Sequence, residues 1–226
     1  MNKYYILILT GLILIGCKGI NSTNNIQQNK VEINDEIIIE LTEMAKIDQI
    51  AAYLPQGKYE KLSQEEWNSF KVSIFKSNQL RAEQIFIQHG FLGYDLVGKK
   101  GSQDFWLLVQ HSDHNPKFQN EVLEKMKMEV DKNNADASSY ALLTDRVKIN
   151  TGQKQIYGTQ VDYNFKIVQA FPKNLADSAS VNQRRKSVGL ESIEIYLNKM
   201  SKMNFEMNKN GYLKNGIKGP KLYIVD

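Results

Sequence analysis

The sequence predicts a mainly α fold: a single helical domain with a small β-hairpin insertion. Three observations carry that expectation. Apolar residues recur at helical spacing through most of the segments between Asn34 and Met203. Helix-starting residues (Ser, Asn, Asp) and helix-ending Gly or Pro fall between those segments. Only the stretch from Gln155 to Ala170 carries strand signals, two short runs around Asp162-Tyr163-Asn164. The length of 226 residues suits one domain, and 42% hydrophobic with 24% charged residues excludes wholesale disorder.

Taken in order, the first helix starts at Asn34 or Asp35, carries Ile37, Leu41, Met44, Ile47, Ala51 and Leu54 on one face, and ends at Pro55. Ser63-Gln64-Glu65-Glu66 is a capping box opening a run through Trp67, Phe70 and Ile74, with a break near Ser77-Asn78. A further run, Leu80 to His89, ends at Gly90. Gly90 to Gly101 holds four glycines and reads as a loop, after which Ser102 caps the strongly apolar Phe105-Trp106-Leu107-Leu108-Val109 helix. Asn115-Pro116 is N-cap plus first turn of the next helix, with Phe118, Val122, Leu123, Met126 and Val130 on its face. Ser138 or Ser139 starts another, ending at Thr151-Gly152. Gln155–Gln160 and Phe165–Ala170 are the expected strands of a hairpin. Ser180-Val181-Asn182-Gln183 reads as a second capping box of a short helix closed by Gly189, and Leu190 to Met203 is the last amphipathic helix. Leu222 to Val225 reads as an edge strand.

The N-terminus gives an address. Lys3 precedes an apolar run from Tyr4 to Ile15, too short for a permanent span, which needs about 20 residues, but suited to a secretory signal. Leu14-Ile15-Gly16-Cys17 follows and resembles the lipobox of bacterial lipoproteins. That resemblance implies diacylglycerol on the Cys17 thiol and cleavage before it. Two or three acyl chains would hold the protein to a bilayer, since each buried CH₂ contributes roughly 0.8 kcal/mol. The expected organisation is then a signal peptide over 1–16, lipidated Cys17 with a polar tether to 33, a helical domain over 34–204 and a Lys/Gly-rich extension over 205–226. The expected location is the bacterial cell envelope, on the outer membrane or the periplasmic face. Cys17 is the only cysteine, so an intramolecular disulfide and Cys-based zinc sites are excluded. A formal charge of +4, evenly spread, argues against a nucleic-acid partner.

Candidate chemistry lies in three places. Only four of the 29 basic residues are Arg, which marks them as positions needing a planar donor fork. Arg146 and one of Arg184 or Arg185 could hold an anionic ligand, or they could pair with buried carboxylates and tie helices together. Neighbours on a helix point about 100° apart, so at most one of the adjacent pair should face any given site. Gln110-His111-Ser112-Asp113-His114 is the densest polar cluster. It reads as structural, as an acid–base centre with His111 as base beside a carboxylate (Asp48, Asp113 or Asp145), or as a metal set of His111, Asp113 and His114. Gln155, Tyr157 and Gln160 offer neutral hydrogen-bonding groups in a loop-to-strand segment where Gly158 allows close approach. No nucleotide, zincin, serine-hydrolase or EF-hand motif is present, and neither a cofactor nor a bound metal is expected.

These segments in this order resemble an uncharacterised bacterial family of unknown function. The resemblance rests on Leu41-x-x-Met44-x-x-x-Asp48-Gln49, Trp106 to Asp113 with Pro116-x-Phe118-Gln119, Leu143-Thr144-Asp145-Arg146-Val147, Gln155-x-Tyr157-Gly158-Thr159-Gln160, and Arg184-Arg185-x-x-Val188-Gly189-Leu190 with Tyr196-Leu197. It implies one domain with its polar groups brought together, and no activity. Two functions stay open: an envelope lipoprotein that binds a small molecule or an envelope protein, and an envelope hydrolase with a His/Asp pair and Arg residues on an anionic group.

Overall fold

The structure is a computed structural model and describes residues 35–225. The expectations for the signal peptide, Cys17 and the tether lie outside the described residues. Among the described residues the fold is mainly α, with one two-stranded antiparallel hairpin.

Helix α1 (Asp35–Ala52) buries Ile37, Leu41, Ala45, Asp48 and Ala51 on one stripe. After a 3-10 turn (Gly57–Lys61), α2 spans Gln64–His89, opened by the expected capping box: Ser63 Oγ accepts from Glu66 N at 3.2 Å and Glu66 Oε2 from Ser63 N at 2.8 Å. The break expected at Ser77-Asn78 is absent. Asn78 is buried and donates to Asp48 Oδ1 at 3.3 Å, so a tertiary contact holds a residue whose local preference is to leave a helix.

Helix α3 (Tyr94–Gln110) corrects the expected glycine loop. Its first N–H groups find partners on Asn134: Tyr94 N donates to Asn134 O at 2.9 Å and Asp95 N to Asn134 Oδ1 at 3.0 Å. Gly98 turns through φ 67°, a conformation open to glycine, and kinks the helix. Ser102 is therefore buried mid-helix instead of capping. Helix α4 (Pro116–Asp131) starts as the sequence predicts, with Asn115 Oδ1 accepting from Phe118 N at 3.2 Å. Helix α5 (Ala137–Asn150) is capped by Asp136, whose carboxylate accepts from Ser139 N at 2.6 Å, instead of by Ser138 or Ser139.

The strands are shifted from their predicted places. Strand β1 is Val161–Asn164 and β2 is Gln169–Pro172, with Val161 opposite Pro172 and Tyr163 opposite Ala170. Residues 155–160 form no strand: Gln155 makes a single bridge, donating to Asn174 O at 3.0 Å, and the N–H groups of Ile156, Tyr157 and Thr159 go to one side chain, described below. Helix α6 (Val181–Ser187) lacks the expected box: Ser180 Oγ donates to Asp177 and accepts from Arg184. Helix α7 (Ile193–Met207) is capped by Ser192, and α8 is Lys209–Lys214. The tail at 222–225 is not a strand; Asn198 holds it by bonds to both Tyr223 N (2.7 Å) and Tyr223 O (2.9 Å).

Two cores result. Helices α1 to α5 pack around α3, which touches each of the other four, with Leu41, Ile85, Phe105, Leu108, Phe118 and Val122 at the centre. The hairpin, α6 and α7 share a second core of Tyr163, Ala170, Val181, Ile193 and Leu197, and Tyr212 of α8 stacks on Phe205. Thr42–Asp104 and Asp48–His111 bonds run up the α1–α3 seam in the same order, so these two helices lie parallel. Among the described residues no helix is long and apolar enough to cross a membrane.

Candidate functional site

The predicted site residues fall into three groups. The first joins the two cores. Asp145, wholly buried on α5, accepts from Ile156 N at 2.7 Å, Tyr157 N at 3.0 Å, Thr159 N at 2.9 Å and Thr159 Oγ1 at 3.0 Å. The carbonyls of the same three residues are held from the other side: Ile156 O by Arg184 Nε (2.8 Å), Tyr157 O by Arg185 Nη1 (2.7 Å) and Thr159 O by Tyr196 Oη (2.6 Å). The loop is thus clamped between a carboxylate on α5 and two arginines and a tyrosine on α6 and α7. Both adjacent arginines serve one loop, because they take consecutive carbonyls; the expectation that at most one could do so was wrong.

Arg185 is 1% exposed, also donates to Glu191 O at 2.7 Å, and lies 4.9 Å from the Tyr196 ring centre. Burial pulls its pKa down and pushes those of Tyr196 and Tyr157 up. Arg184 further binds the Asp177 carboxylate and Ser180. Gln155 is fully buried and closes the loop on itself, donating to Gln160 O at 2.8 Å and to Lys173 O and accepting from Gln160 N at 2.9 Å. Gly158 sits at φ 71°, where an added Cβ would lie 2.6 Å from Ile193 Cδ1.

The second group ties the end of α3 to α5. Arg146 makes the bidentate fork expected of it, Nε to Asp113 Oδ1 at 2.7 Å and Nη2 to Oδ2 at 2.6 Å, and Asn150 adds a third bond at 2.8 Å. Asp113 is therefore engaged by Arg146 and does not orient His111. His114 points away, donating to Gln79 Oε1 at 3.3 Å, so His111, Asp113 and His114 do not converge as metal ligands.

The third group is His111. Its Nδ1 donates to Asp48 Oδ2 at 2.5 Å, Asp48 is wholly buried, and Asn78 donates to the other carboxylate oxygen. The Phe75 ring centre lies 5.1 Å from the imidazole. Nε2 of His111 has no partner among the described residues. Three buried side-chain atoms also lack a partner among the described residues: Gln49 Nε2 on α1, Gln110 Oε1 at the end of α3 and Gln119 Oε1 on α4. Gln119 reaches under the helix end, its Nε2 donating to Val109 O at 3.0 Å and Gln110 O at 3.3 Å.

The candidates do not line one cleft. Asp145, Arg146, Gln155 and Arg185 are buried against protein partners, and His111 pairs with α1 instead of with Arg146 or Arg184. Two hollows lie elsewhere. One of about 930 Å³ is lined, among the described residues, by α2 alone. The other, about 440 Å³ between α4 and α5, has cations already bound, Lys127 to Asp131 and Lys148 to Gln153.

Sequence reasoning missed Asn78 and Asn150, and left Asp48 as one of three carboxylates. The legible signal for Asp48 is its position: seven residues after Leu41, on the apolar face of α1, where a lone carboxylate needs a buried partner.

No curated protein and no solved structure matches this chain. A family model described as "Family of unknown function (DUF6624)" matches residues 35–205, which takes in all three groups. The chain belongs to that family of unknown function.

Proposed function

We propose that this protein is a lipoprotein of the bacterial envelope, held to a membrane through acylated Cys17, whose helical domain binds a partner at the end of α3. The address rests on the lone Cys17 after Leu14-Ile15-Gly16. The observation that carries the binding role is that three buried side-chain atoms, Gln49 Nε2, Gln110 Oε1 and Gln119 Oε1, have no partner among the described residues. Native structures satisfy nearly all such atoms, so each exception calls for a group from outside the described residues, a water or a ligand. Arg146, Arg184 and Arg185 hold a carboxylate and a loop, so they are not the ligand-holders.

A second reading keeps one specific observation. An imidazole whose Nδ1 is fixed by a buried carboxylate presents its Nε2 lone pair in a set direction, which is what a general base needs. In the hydrolase reading His111 takes a proton from water or a hydroxyl, Asp48 faces the resulting imidazolium, and Asn78 orients Asp48.

The anchor is tested by fractionation. Cys17→Ser should leave a larger precursor that takes up no labelled fatty acid; label still entering the variant contradicts the reading. Binding and hydrolysis are separated by His111→Gln. An envelope hydrolase loses turnover with that change, whereas a binder retains partner association weakened by about one hydrogen bond, roughly tenfold.

A further inference from the structure

We propose that the hollow between α4 and α5 is a saccharide-binding site, separate from the end of α3. Its volume of about 440 Å³ lies within the range of pockets that take small molecules. Its walls follow from helical spacing. Asn120, Leu123, Glu124 and Lys127 stand at i, i+3, i+4 and i+7 on α4, so they share one face. Tyr140, Thr144, Val147 and Lys148 share a face of α5 in the same way, and Gln153 adds to the lining just past the end of that helix.

The apolar part of the lining is held by the main core. Val147 is buried in that core, and Leu123 and Tyr140 pack against it while also lining the hollow. This surface is therefore formed before any ligand arrives. The polar part is largely unused by the protein. The side chains of Asn120 and Glu124 have no hydrogen bond among the described residues, and neither do the hydroxyls of Tyr140 and Tyr157. The backbone of Tyr157 is fixed by Asp145 and Arg185, and its phenol lies within electrostatic reach of Tyr140 and Lys127. The clamp thus presents Tyr157 to this side of α5. Thr144 gives its proton to Tyr140 O at 2.8 Å and keeps its lone pairs.

Charge and spacing select the ligand class. Lys127 pairs with Asp131 at 2.6 Å, Lys148 meets the neutral Gln153 amide at 3.3 Å, and Glu124 has no ion pair among the described residues. An anion here meets the Glu124 and Asp131 carboxylates, and a cation meets the two lysines; a neutral ligand meets no like charge. Donors (Lys148 and the phenols) and acceptors (Glu124 and Thr144) surround one small hollow, with Asn120 able to do either. A peptide brings one amide for each ~3.3–3.6 Å of extended chain. A sugar ring brings a hydroxyl on most of its carbons, each both donor and acceptor. Its C–H face suits Leu123, Tyr140 and Val147, while its hydroxyl edge suits the polar groups around them.

The test uses the full-length lipidated protein, labelled with fluorotyrosine, in micelles of a detergent without a sugar head group. Tyr140→Phe and Tyr157→Phe assign the two ¹⁹F signals. Cellobiose and maltose are the probes, with N-acetyl-trialaninamide as a neutral peptide and glucose 6-phosphate as an anion. The expected result is a saturable shift of both signals with at least one disaccharide, and peptide and phosphate at least about tenfold weaker. Glu124→Ala removes an exposed side chain without protein partners, so the melting temperature should hold while disaccharide affinity falls about tenfold. A stronger response to the peptide or to the phosphate assigns the hollow to another ligand and overturns the proposal. Both disaccharides leaving both signals unmoved overturns it too, as does unchanged disaccharide affinity in Glu124→Ala.

Discussion

Two polar regions of this molecule, one at Asp145 and one at the end of α3, both reach α5, through Asp145 and through Arg146, and they are finished to different degrees. At the Asp145 clamp three loop N–H groups and a hydroxyl meet one carboxylate, and the carbonyls of the same three residues meet two guanidiniums and a phenol. At the end of α3 the charges are matched but three amide atoms and one imidazole nitrogen are not. Low dielectric strengthens a complete network and penalises an incomplete one. The first region therefore behaves as scaffold, joining the five-helix core to the hairpin core, and the second as a surface awaiting a partner. Satisfaction of the buried polar atoms separates the two.

The contrast is broken most forcefully at Asp145. Asp145→Ala leaves three buried N–H groups and the Thr159 hydroxyl without an acceptor, and should cost about 4 kcal/mol or more, read from urea unfolding. A loss below about 1 kcal/mol would mean the loop reorganises freely and the clamp is no scaffold. Next comes Arg146→Lys. An ammonium cannot reproduce the fork on Asp113, but Asp113 is 42% exposed at its side chain, so the expected loss is smaller, about 1–2 kcal/mol by the same measurement. Retained stability there would move Arg146 from the scaffold to the site.

The smallest effect separates the two cores by pH. Burial pushes the Tyr163 hydroxyl, in the hairpin core, up to about 12 from an ordinary 10. Its folded pKa is raised, so the stability it contributes is present below pH 10 and lost as pH rises toward 12, where the unfolded chain releases the proton first. Thermal melts should fall over that window, and Tyr163→Phe should flatten the fall. An identical decline in the variant would remove Tyr163 as the cause.

Much of this was legible in the sequence. Helical periodicity and the Ser63 and Asn115 caps placed α1, the start of α2 and α4; of the scarce arginines, Arg146 makes a bidentate fork on a carboxylate, while Arg184 and Arg185 spread their arms over separate backbone carbonyls. What the forks hold was not legible, because carbonyls at Ile156 and Tyr157 leave no trace in residue type. The strand expected at 155–160 failed for the same reason: alternation cannot reveal that a distant Asp145 takes the N–H groups a ladder would use. The kinked start of α3 was hidden because Asn134, some 40 residues away, supplies its cap. The His111–Asp48 pair was half-visible, as a carboxylate on an apolar stripe and a histidine after an apolar run.

The central claim is that the end of α3 is incomplete without an outside group while the Asp145 clamp is complete. A crystal structure of the protein that shows its ordered solvent tests it most directly. The account predicts non-protein density bonded to Gln110 Oε1 or Gln119 Oε1, with only protein atoms around the Asp145 carboxylate. Both glutamine oxygens bonded by protein groups, and solvent seated on the Asp145 carboxylate instead, would contradict it.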